Sequence, residues 1–175
     1  MLPGARERFI PIPEGNDGAL STLRHMAGLI CAPDPLVDAL TDKMSVEGDG
    51  VSEVGVAERV FKWVRAHMLY TPDFNNGVVI EEIRTPGYLL HEIGALGSAI
   101  GDCDDYVVLL GAVYRRLGFP VTLVAVSVHP DKMLDHVYLA IETDEGRVAA
   151  DGIVPEPFGW EVSDEEITNR VEWPV

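Results

Sequence analysis

The clearest pattern of hydrophobic and polar positions lies mid-chain, where apolar residues recur at helical spacing from 106 to 117. Asp102 precedes this run as a predicted N-cap, and Asp105 stands three residues on, where a capping acid belongs. Gly118 ends the pattern. The spacing therefore predicts a long amphipathic helix whose first turn contains Cys103.

Shorter helical patterns come earlier in the chain. The first begins at Asp17 or Ser21 and runs to about Cys31, and the second covers 35–44. Ser52 is the predicted N-cap of the third. The expected apolar stripes are Leu20, Leu23, Ala27 and Ile30 in the first helix, and Val56, Val60, Trp63, Val64 and Met68 in the third.

Later in the chain, apolar and polar residues alternate, which is typical of strands with one buried face. Strands are predicted over 121–128, 136–141 and 147–150, and the last two are joined by a hairpin turn over 143–146. A short helix and a glycine-rich approach are predicted over 86–100. Helices followed by an antiparallel sheet indicate an α+β fold.

The chain has 175 residues, enough for one domain with its own core. Within residues 1–175 we expect an N-terminal helical extension over 1–50 and a catalytic core over 51–160. The remaining segment, 161–175, is acidic and is expected to be a C-terminal surface arm.

Charge limits the possible partners. The formal net charge is −16 and the pI is about 4.5, so nucleic acid and anionic membrane surfaces are poor partners and a basic protein is a better one. No apolar run reaches membrane-spanning length, and a cytoplasmic location is expected. The two cysteines fit a reducing compartment as free thiols. Cys31, in an apolar context, is expected to be a small buried residue.

Cys103 carries the candidate chemistry. A thiol in the first turn of a helix lies near the positive end of the helix dipole and near backbone N–H groups, which favours the nucleophilic thiolate. Asp102, Asp104 and Asp105 oppose this effect, because like charge raises the pKa of a thiol. The alternative is that Cys103 is simply a small buried residue at a helix start.

A cysteine nucleophile needs a base, and the base needs an orienting group. If Glu142 pairs with Arg147 across the hairpin, His136 and Asp151 share one sheet face as diagonal neighbours, with backbones about 7–8 Å apart. A slip of one residue would separate them. The alternatives are a satisfied core histidine and an aspartate in a turn before Gly152.

Metal chemistry fits the sequence less well. The histidines are dispersed, and the acidic run at 102–105 lacks both the paired spacing of zinc sites and the loop of a calcium-binding hand. There is no phosphate-binding glycine loop. No metal or cofactor is expected.

Three segments resemble the transglutaminase-like superfamily of papain-like thiol enzymes: GDCDDYVVLLGAVYRRLGFPVTLVAV, DHVYLAI and RVAADGIVP. The upstream segment FKWVRAHMLYTPD resembles the helix-then-tyrosine segment that precedes the nucleophile in these domains. The proline-rich start and the first helices resemble a bacterial and phage subgroup. The resemblance implies a papain-like fold, with a central nucleophile helix packed on the sheet. It also implies a triad of Cys103, His136 and Asp151. One difference follows Asp151, where family members often have D-P or D-x-T and this chain has Gly152 and Ile153.

In similar proteins an aromatic side chain before the nucleophile helps to bind the oxyanion. Tyr70 occupies that place, with Asn75 and Asn76 as alternatives, and the Cys103 backbone N–H is the second donor. Tyr70 could equally be a packing residue.

The resemblance predicts a cysteine-dependent amide hydrolase or acyltransferase of the protease, amidase or transglutaminase type. It would act on a protein or peptide amide through a thioester. The alternative is a non-catalytic binding or structural module of the same fold, such as a phage virion or assembly component, with the acidic surface contacting a basic partner.

Overall fold

A computed structural model describes residues 10–11, 16–46, 50–71, 80–81 and 83–175. Helices and strands both contribute substantially, so the α+β class is confirmed. The described residues form five helices: α1 (Asn16–Cys31), α2 (Pro35–Val46), α3 (Glu53–His67), α4 (Pro86–Leu96) and α5 (Cys103–Arg116). In this part of the chain no helix is long and apolar enough to cross a membrane.

Within the described residues the strands form three separate sheets. A four-stranded antiparallel sheet has the order β7-β6-β5-β8, β2 pairs with β4 in parallel, and β1 pairs with β3. Their bounds are β1 (Ile10–Pro11), β2 (Met68–Tyr70), β3 (Ile80–Glu81), β4 (Ala99–Gly101), β5 (Val121–Ser127), β6 (His136–Thr143), β7 (Gly146–Ala150) and β8 (Asn169–Pro174).

Helix α5 is the centre of the molecule. It was predicted to be amphipathic, but every residue from Asp104 to Tyr114 is buried. The reason is that α1, α2 and α3 pack on α5 in addition to the sheet, which contacts it through β6 and β5. The predicted N-terminal extension therefore supplies two helices, α1 and α2, that cover α5.

Two predictions for α1 are wrong. Leu20 is 39% exposed, and the buried face contains Leu23, Met26, Leu29 and Ile30. Cys31 is exposed rather than buried, since it follows Ile30 at the very end of the helix. Ile30 takes the inward position and leaves the thiol of Cys31 towards solvent.

The C-terminal segment is part of the sheet. β8 pairs with β5 along its whole length, from Thr122 opposite Pro174 to Ser127 opposite Asn169. The Val175 N–H then donates to the Val121 carbonyl at 2.9 Å. The end of the expected surface arm is thus an edge strand held by backbone hydrogen bonds.

Candidate active site

The fold brings the start of α5 to the same end of the molecule as the start of β6. Helix α5 has 14 residues and β5 has 7, which correspond to lengths of about 21 Å and about 23 Å. β5 follows α5 after a short turn and packs against it. Because the two lengths match, the end of β5 returns to the level of the start of α5. Val126, near the end of β5, pairs with His136 at the start of β6.

Cys103 is the first residue of α5 and is half-buried. The Asp102 carboxylate caps the helix by accepting the Asp104 N–H at 3.2 Å, which confirms the predicted N-cap. The Cys103 sulfur therefore lies at the positive end of the helix dipole. It also lies 3.8 Å from Oδ1 of Asp104, a buried carboxylate.

Asp105 does not act as the predicted capping acid. Its Oδ1 accepts the backbone N–H of Arg84 at 2.9 Å, and its Oδ2 lies 2.8 Å from the Arg84 guanidinium. Gly101 makes room for this carboxylate, because a Cβ there would lie 2.6 Å from Asp105 Cβ. The acid is directed to a neighbouring segment instead of back to its own helix start.

The hairpin register is the predicted one, with Glu142 opposite Arg147. Nε2 of His136 lies 2.6 Å from Oδ2 of Asp151, which confirms the predicted contact between these side chains. Asp151 is 6% exposed, and its Oδ1 accepts the Ile153 N–H at 3.3 Å. A carboxylate on Nε2 favours the tautomer whose Nε2–H donates, which leaves Nδ1 as the basic nitrogen.

Gly152 brings the Asp151 segment against the first turn of α5. A Cβ at this position would lie 2.6 Å from Cδ1 of Tyr106, whose hydroxyl donates to the Met68 carbonyl at 2.7 Å. Only glycine allows this approach, which accounts for the residue that follows Asp151 here. Tyr106 therefore links β2, α5 and the loop after β7.

Tyr70 reaches the site through the parallel pairing of β2 with β4. It is the register partner of Gly101, and the next N–H, of Thr71, donates to the Gly101 carbonyl at 2.8 Å. The pKa of Tyr70 is raised by partial burial and then by negative charge on Cys103 and Asp102. The phenol therefore keeps its proton and can donate a hydrogen bond at neutral pH.

The two alternative oxyanion residues, Asn75 and Asn76, lie outside the described residues.

Sequence reasoning missed a second layer behind His136. The ring of Tyr138 stacks on the imidazole with centroids 6.0 Å apart, and its hydroxyl donates to Glu161 at 2.6 Å. Arg170 in turn contacts Glu161 at 2.8 Å. Strand parity was the available signal, because Tyr138 stands two residues after His136 and thus on the same face.

Among the residues that the structure describes, no group of three or more His, Cys, Asp or Glu side chains is placed to hold a metal ion. Neither a protein-family model nor a curated protein sequence matches the chain. Function is therefore inferred from the chemistry of the site itself.

Proposed function

We propose that this protein is a cysteine-dependent amide hydrolase or acyltransferase of the transglutaminase-like type. Cys103 is the nucleophile, His136 the base and Asp151 its orienting group. The observation that carries the proposal is the 2.6 Å contact between His136 Nε2 and Asp151, at the end of the sheet where α5 begins. This geometry leaves Nδ1 to exchange a proton with the thiol.

The reaction follows from these roles. Neutral His136 accepts the Cys103 proton, and the thiolate attacks the carbonyl carbon of the amide. The oxyanion accepts hydrogen bonds from the Cys103 backbone N–H and the Tyr70 hydroxyl. The imidazolium then protonates the leaving amine, the C–N bond breaks, and a thioester remains. Water converts this thioester to an acid, whereas an amine converts it to a new amide.

The substrate class is a protein or peptide amide. With a net charge of −16, the protein suits a basic substrate or partner better than an acidic one. Because the sequence resembles a bacterial and phage subgroup, we propose the cytoplasm or a virion as the location. No cofactor enters the proposed reaction.

The first test is acylation of the thiol. We expect p-nitrophenyl acetate to release a burst of nitrophenolate and to leave an acetyl group on Cys103, detected by peptide mass spectrometry. Cys103→Ala should abolish the burst, Cys103→Ser should retain at most a trace, and a chelator should have no effect. Cys31→Ala is the matched control and should retain the full burst. Absence of acylation in the unmodified protein would refute the proposal.

The second test separates the two reaction outcomes. A glutamine-containing peptide is incubated with the protein, with and without hydroxylamine, and the products are identified by mass spectrometry. Formation of glutamate in both cases indicates hydrolysis, and a hydroxamate in the presence of hydroxylamine indicates transfer.

One observation favours the non-catalytic alternative. The Cys103 sulfur lies 3.8 Å from a carboxylate oxygen of buried Asp104, and such negative charge opposes formation of the thiolate. A binding or virion module would keep its biological function when Cys103 is replaced by alanine. Full function of Cys103→Ala in the source organism, together with absence of acylation, would establish that alternative.

A further inference from the structure

Asp105 presents an electrostatic problem for a thiolate at Cys103. It lies two residues later in the first turn of α5, and its side chain is only 1% exposed. A buried carboxylate so near a thiol disfavours the thiolate, and solvent screens it weakly. A nucleophile at this position therefore needs a compensating positive charge.

Arg84 is placed to supply that charge. Its guanidinium lies 2.8 Å from Asp105 Oδ2 and its backbone N–H donates to Oδ1 at 2.9 Å. Nη1 donates to the Ile100 carbonyl in β4 at 2.5 Å and lies 3.8 Å from Glu92 in α4. The Arg84 side chain is 13% exposed, so the pair is largely shielded from water.

These contacts join three structural elements at the base of the nucleophile. The segment before α4, strand β4 and the first turn of α5 all meet at one guanidinium. Arginine suits this role because its planar fork can bind a carboxylate and a carbonyl at the same time while it stays charged.

We propose that Arg84 is a positioning residue of the thiol site, which neutralises Asp105 and holds the start of α5 so that Cys103 can ionise. This inference rests on the proposed function for the role of Cys103, but its test needs no substrate. Among the described residues, Asp104 on α5 lies 3.8 Å from the sulfur, charges on Cys103 and Asp102 act on Tyr70 of β2, and Arg65 acts on Tyr106. The proposed triad adds His136 and Asp151.

The test is a double-mutant cycle that removes each charge alone and then both together. The readout is the rate of thiol alkylation. In a Cys31→Ser background, the iodoacetamide rate constant is measured from pH 5 to 10. Arg84→Gln removes the guanidinium charge beside Asp105, so we expect the Cys103 pKa to rise and the rate at pH 7 to fall about three- to tenfold. Asp105→Asn removes one of the two carboxylates that face the guanidinium, so the Cys103 pKa should fall and the rate at pH 7 should rise. The double variant should lie within about twofold of the background.

Opposite shifts of the Cys103 pKa in the two single variants would distinguish an effect of charge from an effect of structure. A purely structural role would move both single variants in the same direction, or neither of them, and either result would overturn the proposal. Arg116→Gln is the matched control, because Arg116 pairs with Asp38 at 2.9 Å at the other end of the same helix. It should leave the alkylation profile unchanged.

Arg84→Gln removes the guanidinium that pairs with a buried carboxylate, and this variant can fail to fold. In that case Asp105→Asn is compared with the double variant, which differs from it only in the guanidinium. Identical alkylation profiles would then show that the Arg84 charge does not influence the thiol, and the proposal would fail. Acylation by p-nitrophenyl acetate is scored separately: normal charge effects without acylation refute the enzyme proposal alone, and acylation without charge effects refutes the role of Arg84 alone.

Discussion

Gly152 packs directly on the ring of Tyr106, so that an added Cβ would lie only 2.6 Å from Cδ1. Tyr106 is 4% exposed and its hydroxyl donates to the Met68 carbonyl, so the ring cannot easily move away from an added Cβ. The contact ties the residue after Asp151 to the helix that begins with Cys103. It is one of the points at which the geometry of the proposed triad depends on packing.

Gly152→Ala should therefore destabilise the protein. We expect its free energy of unfolding to fall by about 1–3 kcal/mol, because the methyl group forces apart two packed segments. Urea denaturation followed by circular dichroism measures this change. Gly94→Ala in α4 is the control: nothing lies within 4 Å of a Cβ there, and alanine should add about 0.5–1 kcal/mol. Equal stability of the two variants would contradict the packing argument.

Asp151→Asn should preserve the fold but slow the chemistry. The asparagine amide can donate to Nε2 of His136, which favours the tautomer with its proton on Nδ1 and removes the base from the thiol. We expect acylation by p-nitrophenyl acetate to slow by about 10²- to 10⁴-fold, with the thermal unfolding midpoint changed little. A rate equal to that of the unmodified protein would remove Asp151 from the proposed triad.

Cys103 should be alkylated faster than Cys31, although Cys31 is the more exposed thiol. Accessibility alone favours Cys31, whereas the helix dipole favours a thiolate at Cys103. We expect a difference on the order of tenfold at pH 7 after brief iodoacetamide treatment and peptide mapping. Labelling of Cys31 at an equal or higher rate would refute the claim that Cys103 is an activated thiol. Variants that retain only one of the two cysteines provide the controls.

Tyr138 should make the protein sensitive to alkali. Burial, and then the hydrogen bond to Glu161, raise the pKa of its phenol well above the ordinary 10.0. Above pH 10 the unfolded tyrosine loses its proton while the native one keeps it, so the unfolded state binds fewer protons and stability falls as pH rises. The contribution is fully present below pH 10.

The corresponding measurement is the free energy of unfolding between pH 9 and 12. Tyr138→Phe should show a pH slope that is shallower by about 1.4 kcal/mol per pH unit above pH 10. Parallel curves for the unmodified protein and the variant would show that the Tyr138 proton is not linked to folding.

The hairpin shows how much of the site is encoded locally. The turn at 143–146 fixes Glu142 opposite Arg147, and the two-residue period of a strand then places His136 and Asp151 on one face. The start of α5 is likewise readable, because Asp102 caps it through a neighbouring N–H. Both features depend on residues close together in sequence.

Other features depended on partners that no local pattern reveals. Asp105 has the spacing of a capping acid, yet its carboxylate pairs with Arg84, 21 residues away. The reason is that a buried charge needs a counter-charge. Similarly, the acidic composition of 161–175 predicted a surface arm, but β8 pairs with the edge that β5 would otherwise leave open.

By itself the sequence determined the order of the five helices and of β5, β6 and β7, the cap at Asp102 and the hairpin register that joins His136 to Asp151. These follow from local dihedral preferences and from the periods of helix and strand. Only the tertiary structure decided that Tyr70 lies beside Gly101, that Arg84 pairs with Asp105 and that Cys31 is exposed. The physical reason is that strand pairing, ion pairing and burial are set by which distant segments meet in space, and periodicity along the chain does not specify those meetings.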